Sequence, residues 1–139
     1  MNTSLSKNRD YKLVTFYPTY ENVHALLAEI HLYVFGPEGK LIESQAVRRD
    51  KVTVAVADDE LRGAKIVIAP PLDGLAGEPV TLAKARSQHI FEAELPLGDA
   101  QSSYVLPPVP EAIWRWWLVH SLWKNVRKAS GKKTGLLGW

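Results

Sequence analysis

Short segments in which apolar and polar residues alternate recur about every ten residues in the first half of the chain, and this spacing restricts the fold more than any other feature. Residues 29–35 place Ile30, Leu32 and Val34 on one face, and residues 52–57 carry a valine at every second position. Three further segments have strand character: 12–17, 40–47 and 64–71. Five short strands at this spacing before residue 72 are typical of a β-sandwich or a β-barrel.

The segment Gly36-Pro37-Glu38-Gly39 separates the second predicted strand from the third. Proline fixes φ at one turn position, and glycine tolerates a positive φ. The segment therefore predicts an antiparallel hairpin.

The rest of the first hundred residues gives weaker signals. Pro18 is expected to close the first strand, and the acidic segment 58–63 is expected to form a loop. Residues 81–95 predict one helix, which Thr81 can cap. Residues 99–110 are polar and then proline-rich, and we expect them to connect the body to the C-terminal stretch.

All five tryptophans lie in the C-terminal stretch 107–139. This stretch has six basic side chains and one acidic side chain, a net charge of +5. Residues 1–106 have 11 basic and 14 acidic side chains, a net charge of −3. An acidic body is thus followed by a basic, aromatic stretch.

A helix is the predicted structure for residues 110–129. Pro110 and Glu111 suit the first turn of a helix, and Gly131 suits its end. The aromatic and β-branched residues leave a strand over residues 113–119 as the alternative.

The apolar side chains of this helix surround most of its circumference, and such a helix is normally covered on most sides. Three interpretations stay open: the helix completes the core of its own chain, contacts another subunit, or lies on a membrane surface. Tryptophan and arginine are favoured at protein interfaces, and tryptophan with lysine and arginine is typical of interfacial membrane helices. The predicted contact residues are Trp114, Arg115, Trp116, Trp117, Trp123, Lys124, Arg127, Lys128, Leu136, Leu137 and Trp139.

No motif of the chain indicates catalysis or metal binding. The sequence has no cysteine, and its four histidines do not follow the spacing of zinc ligands. The acidic residues 58–60 are too few for a calcium loop, and no nucleophile elbow, phosphate loop or dinucleotide fingerprint occurs. We therefore expect a non-enzymatic protein with no cofactor and no metal.

Residues 1–10 are polar and lack the apolar segment of an ordinary secretion signal. We accordingly expect a cytoplasmic location or export by a route that uses no such peptide. The basic excess is confined to residues 107–139 and is too small to predict nucleic-acid binding.

A family resemblance covers residues 25–119. The G-P-E-G-K-L turn, the V-T-V-A-V and A-K-I-V-I-A-P-P strands, the T-L-A-K-A-R helix and the P-V-P-E-A-I-W-R-W-W run resemble bacterial proteins with carboxypeptidase regulatory-like (transthyretin-like) domains. The resemblance implies a β-sandwich that serves as a non-catalytic folding or interaction module. In that family the W-R-W-W run leads into a cysteine-containing strand of a second domain. Residues 120–139 depart from that pattern, so we expect a different role for them.

Taken together, these features predict a mainly β chain. We expect a transthyretin/Ig-like β-sandwich over residues 1–106 with one short helix, and a tryptophan-rich basic helix and tail over 107–139. The expected function is that of a structural or interaction subunit in a homo-oligomer or polymer, in which the basic tail meets the acidic body of a neighbouring copy. The alternatives are a membrane-surface-binding protein and a carbohydrate-binding module.

Overall fold

The computed structural model describes residues 11–24, 26, 28–48, 50–72, 80–95 and 101–123. The strands within these ranges are β1 (Tyr11–Tyr20), β2 (His31–Phe35), β3 (Leu41–Ala46), β4 (Val52–Ala57), β5 (Lys65–Ala69), β6 (Phe91–Glu94) and β7 (Ser103–Val109). The helices are α1 (Asp58–Leu61), α2 (Leu82–Arg86) and α3, which is helical over 111–123. The predicted mainly β fold is confirmed, as are the five strands before residue 72.

The strands form two sheets. One has three strands in the order β4-β1-β7, and the other has four in the order β3-β2-β5-β6. The described pairings are antiparallel apart from that of β1 with β7, which is parallel and places Thr15 opposite Ser103. The central strand of the smaller sheet thus comes first in the chain, and one of its neighbours comes last.

Both sheets contribute alternate side chains to one apolar core. Its members on β1, β2, β4, β5 and β7 are Val14, Phe16, Leu32, Val34, Val52, Val54, Val56, Ile66, Ile68, Tyr104, Leu106 and Val109. The alternation predicted for β2 and β4 is therefore confirmed. Because each of these side chains leaves water on folding, the two-sheet packing supplies most of the hydrophobic stabilisation.

The four-stranded sheet is covered on its other side as well. Tyr33 and Phe35 of β2 point away from the two-sheet core and pack with Leu82 and Ala85 of α2. The Tyr33 phenol accepts a hydrogen bond from the backbone N–H of Leu72 at 2.9 Å. Helix α2 therefore forms a third layer over this sheet.

The prediction of one helix over residues 81–95 was wrong in its second half. Thr81 caps α2 as predicted, since its Oγ1 accepts from the Lys84 N–H at 3.2 Å. The chain then leaves the helix and forms β6, where Phe91 and Ala93 alternate with glutamates and pair with β5. Local helix propensity favoured a continuous helix, but pairing with a buried strand outweighs it.

The expectation that residues 99–110 only connect was also wrong, because they contain β7. Because proline cannot donate a ladder hydrogen bond, Pro107 and Pro108 argue against a strand when the sequence is considered alone. They are accommodated because β7 lies at the edge of its sheet. The expected boundary between residues 106 and 107 falls inside this strand.

Two smaller expectations were also wrong. The acidic segment is not a loop throughout, since Asp58–Leu61 form α1, and the Glu60 carboxylate accepts from the Ala57 N–H at 2.9 Å. Acidic residues in the first turn suit the helix dipole. Pro18 does not close β1, which runs on to Tyr20 through a register shift between Tyr17 and Thr19 that accommodates the missing N–H.

The predicted hairpin at residues 36–39 is confirmed. The Gly39 N–H donates to the Gly36 carbonyl and the Gly36 N–H to the Lys40 carbonyl, each at 2.9 Å. Gly39 has a φ of 87°, in the left-handed region that glycine adopts without strain. This turn sets the register of β2 against β3.

Candidate functional site

Helix α3 begins against the turn that follows β1. The Glu21 N–H donates to the Val109 carbonyl at 2.9 Å, and the Glu21 carboxylate accepts from the Glu111 N–H at 3.0 Å. Asn22 has a φ of 68°, which asparagine tolerates better than most residues. These contacts satisfy one of the unpaired N–H groups at the helix start and fix the direction in which α3 leaves the sheet.

The Glu111 carboxylate accepts two side-chain hydrogen bonds at this junction. It accepts from Asn22 Nδ2 at 2.7 Å and from Arg115 Nε at 2.6 Å. Hydrogen bonds from Asn22 first and Arg115 second lower the pKa of Glu111. Arg115, one of the predicted contact residues, therefore has an ion-pair partner within its own chain.

One side of α3 closes the end of the two-sheet core. Trp117 is completely buried and donates its indole N–H to the His89 carbonyl at 2.8 Å. Trp114 is also buried and donates to the Glu21 carbonyl at 2.8 Å. Both indole N–H groups thus have the partner that burial requires. These two predicted contact residues belong to the chain's own core and offer almost no surface to a partner.

The opposite side of α3 exposes four large apolar side chains, which we call the α3 stripe. They are Trp116, Val119, Leu122 and Trp123, each 38 to 66% exposed. Trp116, Val119 and Trp123 follow the i, i+3, i+7 spacing of one helix face, and Leu122 borders them. Single exposed apolar residues are ordinary, but four on one short helix form a continuous apolar surface.

Trp116 lies between two histidines. Its ring centroid is 3.6 Å from that of His89 and 4.5 Å from that of His120, with interplanar angles of 18° and 14°. Two rings so close and so parallel cannot share one face of the indole, so they cover both faces. A sugar needs an open aromatic face, and Trp116 offers none.

Six predicted contact residues lie outside the described part of the chain: Lys124, Arg127, Lys128, Leu136, Leu137 and Trp139. The other five lie on two sides of α3: Trp114 and Trp117 are buried, whereas Arg115, Trp116 and Trp123 are exposed. A helical wheel alone does not tell which side of the helix faces the core. His89 is a neighbour of Trp116 that the sequence did not suggest, because it lies 27 residues away, in the segment between α2 and β6.

A second exposed apolar surface lies on the outer side of the three-stranded sheet, and we call it the β1 face. Its large side chains are Tyr11, Leu13 and Tyr17 of β1 and Val105 of β7, each 37 to 75% exposed. The sequence predicts a strand at residues 12–17 but does not tell which of its two rows faces outward. The reason is that both rows of β1 carry large apolar residues.

The neighbours of the β1 face are small and uncharged. Ala55 lies beside Leu13, and Thr53 and Ser103 lie on the two sides of Thr15. The Thr15 and Thr53 hydroxyls are 2.9 Å apart. Within the described strands, the outward positions of β1, β4 and β7 carry no charged side chain, and the exposed Lys51 comes just before β4.

Two features of the described residues bear on metal binding and on membranes. No group of three or more histidine, aspartate or glutamate side chains in these ranges is arranged to hold a metal ion. Among the same residues, no helix combines the length and the apolar character needed to cross a membrane.

Comparison of the chain with protein-family models, with curated proteins and with solved structures gives no match.

Proposed function

We propose that this protein is a non-enzymatic interaction protein, a subunit of a larger assembly that contacts its neighbour through the α3 stripe. The observation that supports this proposal is the two-sided character of α3. Trp114 and Trp117 fix one side in the core, while the other side presents the stripe to solvent. A helix already held in place loses little conformational freedom on binding, and tryptophan is a frequent anchor of protein interfaces.

The residues after the stripe favour an acidic partner surface. Residues 124–133 contain five basic and no acidic side chains, whereas residues 1–106 have a net charge of −3. Another copy of this chain meets that requirement, so the proposed assembly is a homo-oligomer or polymer.

The proposal also includes two structural expectations that go beyond what is described for α3 and the two sheets. It includes continuation of α3 to residue 129, which would carry the basic residues beside the stripe. It also includes a transthyretin/Ig-like type of sandwich, in line with the resemblance to carboxypeptidase regulatory-like domains, which serve as non-catalytic modules.

The solution mass of the full chain tests this proposal. By sedimentation velocity we expect particles larger than the 15.5 kDa chain, and we expect Trp123→Glu to return them to monomer mass. A carboxylate buried in the contact without a partner is strongly unfavourable. Ala83→Glu adds the same charge at an exposed helical position of α2 and should leave the mass unchanged. A wild-type chain that stays monomeric at all concentrations would contradict the proposal.

An anionic membrane surface is the second candidate. It is favoured by the exposed Trp123, which directly precedes Lys124 and the other basic residues of the tail. Vesicles of phosphatidylserine and phosphatidylcholine separate the candidates. Salt-sensitive binding to these vesicles by a monomeric wild-type chain, lost in Trp123→Glu and absent with phosphatidylcholine alone, would favour the membrane.

A further inference from the structure

The α3 stripe and the β1 face are exposed in the same molecule, so neither covers the other within one chain. Helix α3 cannot turn its stripe inward, because Trp114 and Trp117 hold the opposite side in the core. The β1 face likewise cannot turn, because the inner row of the same strands forms that core. A contact between these two surfaces therefore requires two chains.

We infer that the α3 stripe of one subunit packs on the β1 face of the next copy and forms the outer layer of its three-stranded sheet. This inference rests on the proposed function and names the partner surface. The fold already contains a helix-on-sheet contact of this kind. Leu82 and Ala85 of α2 cover the outer side of the four-stranded sheet, at Tyr33 and Phe35.

The α3 stripe is shorter than the β1 row and fits along part of it. The row from Tyr11 to Tyr17 spans about 20 Å at roughly 3.3 Å per strand residue. The stripe from Trp116 to Trp123 spans about 10 Å at roughly 1.5 Å per helical residue. A helix lying along β1 can therefore place its stripe against about half of that row.

The large apolar side chains supply about two thirds of the area of a small specific contact. Taking about 200 Å² for a large side chain, the four members of either surface expose roughly 400 Å². The two surfaces together thus supply roughly 800 Å², to which the small neighbours Thr53, Ala55 and Ser103 of the β1 face add. Specific interfaces begin at about 1,200 Å² in total, so the rest of the buried area comes from residues around the two surfaces.

Charge favours this pairing over a parallel pairing of two stripes. Two α3 helices packed stripe to stripe in parallel would bring two copies of a basic segment together, since Lys124 directly follows Trp123. The β1 face has no charged side chain within its described strands and avoids most of that repulsion. Because the two surfaces share no residue, each subunit uses both at once, and the contact is head-to-tail.

Two variants with complementary defects test the inference. Leu13→Glu damages the β1 face and keeps the stripe, whereas Trp123→Glu damages the stripe and keeps the β1 face. We expect each alone to be a monomer and their equimolar mixture to form a species of twice the 15.5 kDa chain mass. The double variant Leu13→Glu/Trp123→Glu has neither surface and should stay monomeric in every mixture. Gln45→Glu, at an exposed position of β3, is the control for a charge added to a strand and should assemble like wild type.

The outcomes separate this inference from the proposed function. A wild-type chain that is monomeric overturns both. A Leu13→Glu variant that assembles like wild type, or a mixture that yields no two-chain species, overturns only the head-to-tail pairing. If circular dichroism shows that Leu13→Glu is unfolded, Leu13→Thr takes its place, because threonine retains a strand-favouring side chain. We then expect assembly about tenfold weaker than wild type, and an unchanged affinity overturns the pairing.

Discussion

The indole N–H of Trp114 donates to the backbone carbonyl of Glu21 at 2.8 Å and so ties α3 to the end of β1. Trp117 makes the same kind of bond, also at 2.8 Å, to the carbonyl of His89, just before β6. Since β1 and β6 belong to different sheets, these two tryptophans connect α3 to both. The α3 stripe therefore lies on a helix that is held in place at both sheets.

The two sides of α3 should differ sharply in their contribution to stability. We expect Trp117→Ala to lower the free energy of unfolding by about 3–5 kcal/mol, because it leaves a large cavity in the core. Trp123→Ala, on the exposed side, should change it by no more than about 0.5 kcal/mol in the monomer. Urea denaturation followed by circular dichroism measures both. Equal losses would show that the burial assigned to α3 is incorrect.

Acid should weaken the junction at the start of α3. Hydrogen bonds from Asn22 and then Arg115 lower the pKa of Glu111 in the folded state, so they stabilise that state above the ordinary titration range of glutamate. This contribution is lost as the pH falls through the lowered folded-state pKa. We expect the stability difference between wild type and Glu111→Gln to be constant near neutral pH and to shrink below about pH 4.3. Urea denaturation over a pH series measures it.

The control for this acid series is Glu38→Gln, which removes one negative charge from the exposed hairpin turn. Its effect reports the general influence of net charge. A difference between wild type and Glu111→Gln that grows on acidification would have the wrong sign for a lowered pKa.

Tyr20 should lose its phenol proton at a higher pH than an ordinary tyrosine. Burial raises the pKa of Tyr20 to about 12, so the folded state keeps this phenol protonated where the unfolded state begins to lose its proton. The stability from the neutral phenol is complete below about pH 10 and is lost as the pH rises towards about 12. Tyrosinate absorbance should show a component near the upper value that disappears in Tyr20→Phe. Identical alkaline titrations of the two proteins would contradict the assignment.

The hairpin between β2 and β3 should depend on Gly39 for its backbone conformation. A Cβ at this position would meet only Leu82 Cβ, at an ordinary 3.6 Å, so the cost comes from the φ of 87°. We expect Gly39→Ala to lower the free energy of unfolding by about 1–2 kcal/mol. Gly39→Asn is the matched control, because asparagine tolerates this region, and its loss should be smaller. Thermal denaturation of the two variants compares them, and equal losses would point to side-chain crowding instead.

The sequence predicts those strands whose pattern is local. Residues 29–35 and 52–57 alternate, so the existence and inward faces of β2 and β4 follow from period two alone. β6 and β7 depend on distant partners. Phe91–Glu94 follow a capped helix, and only pairing with β5 makes them a strand, while Pro107 and Pro108 remove the local signal from β7. Such pairings are tertiary and cannot be read from a single segment.

The sequence predicts which residues belong to the candidate site, but not which of them are buried and which are exposed. Trp114, Trp116, Trp117 and Trp123 were all candidate contacts, and the packing of α3 on the core decides that two are inside and two outside. The β1 face could not be predicted because both rows of β1 carry large apolar side chains, so the pattern does not tell which row is exposed.

The parallel pairing of β1 with β7 also sets an order of events during synthesis. A nascent chain releases β1 early, and β4 can pair with it soon afterwards, but the other edge of β1 stays open until Ser103–Val109 have left the ribosome. Pairings so distant along the chain close slowly. Helix α3 emerges later still, so a subunit acquires its stripe only after the strand that completes its smaller sheet has been made. In the proposed assembly, contact between copies is therefore delayed until each chain has the means to finish folding.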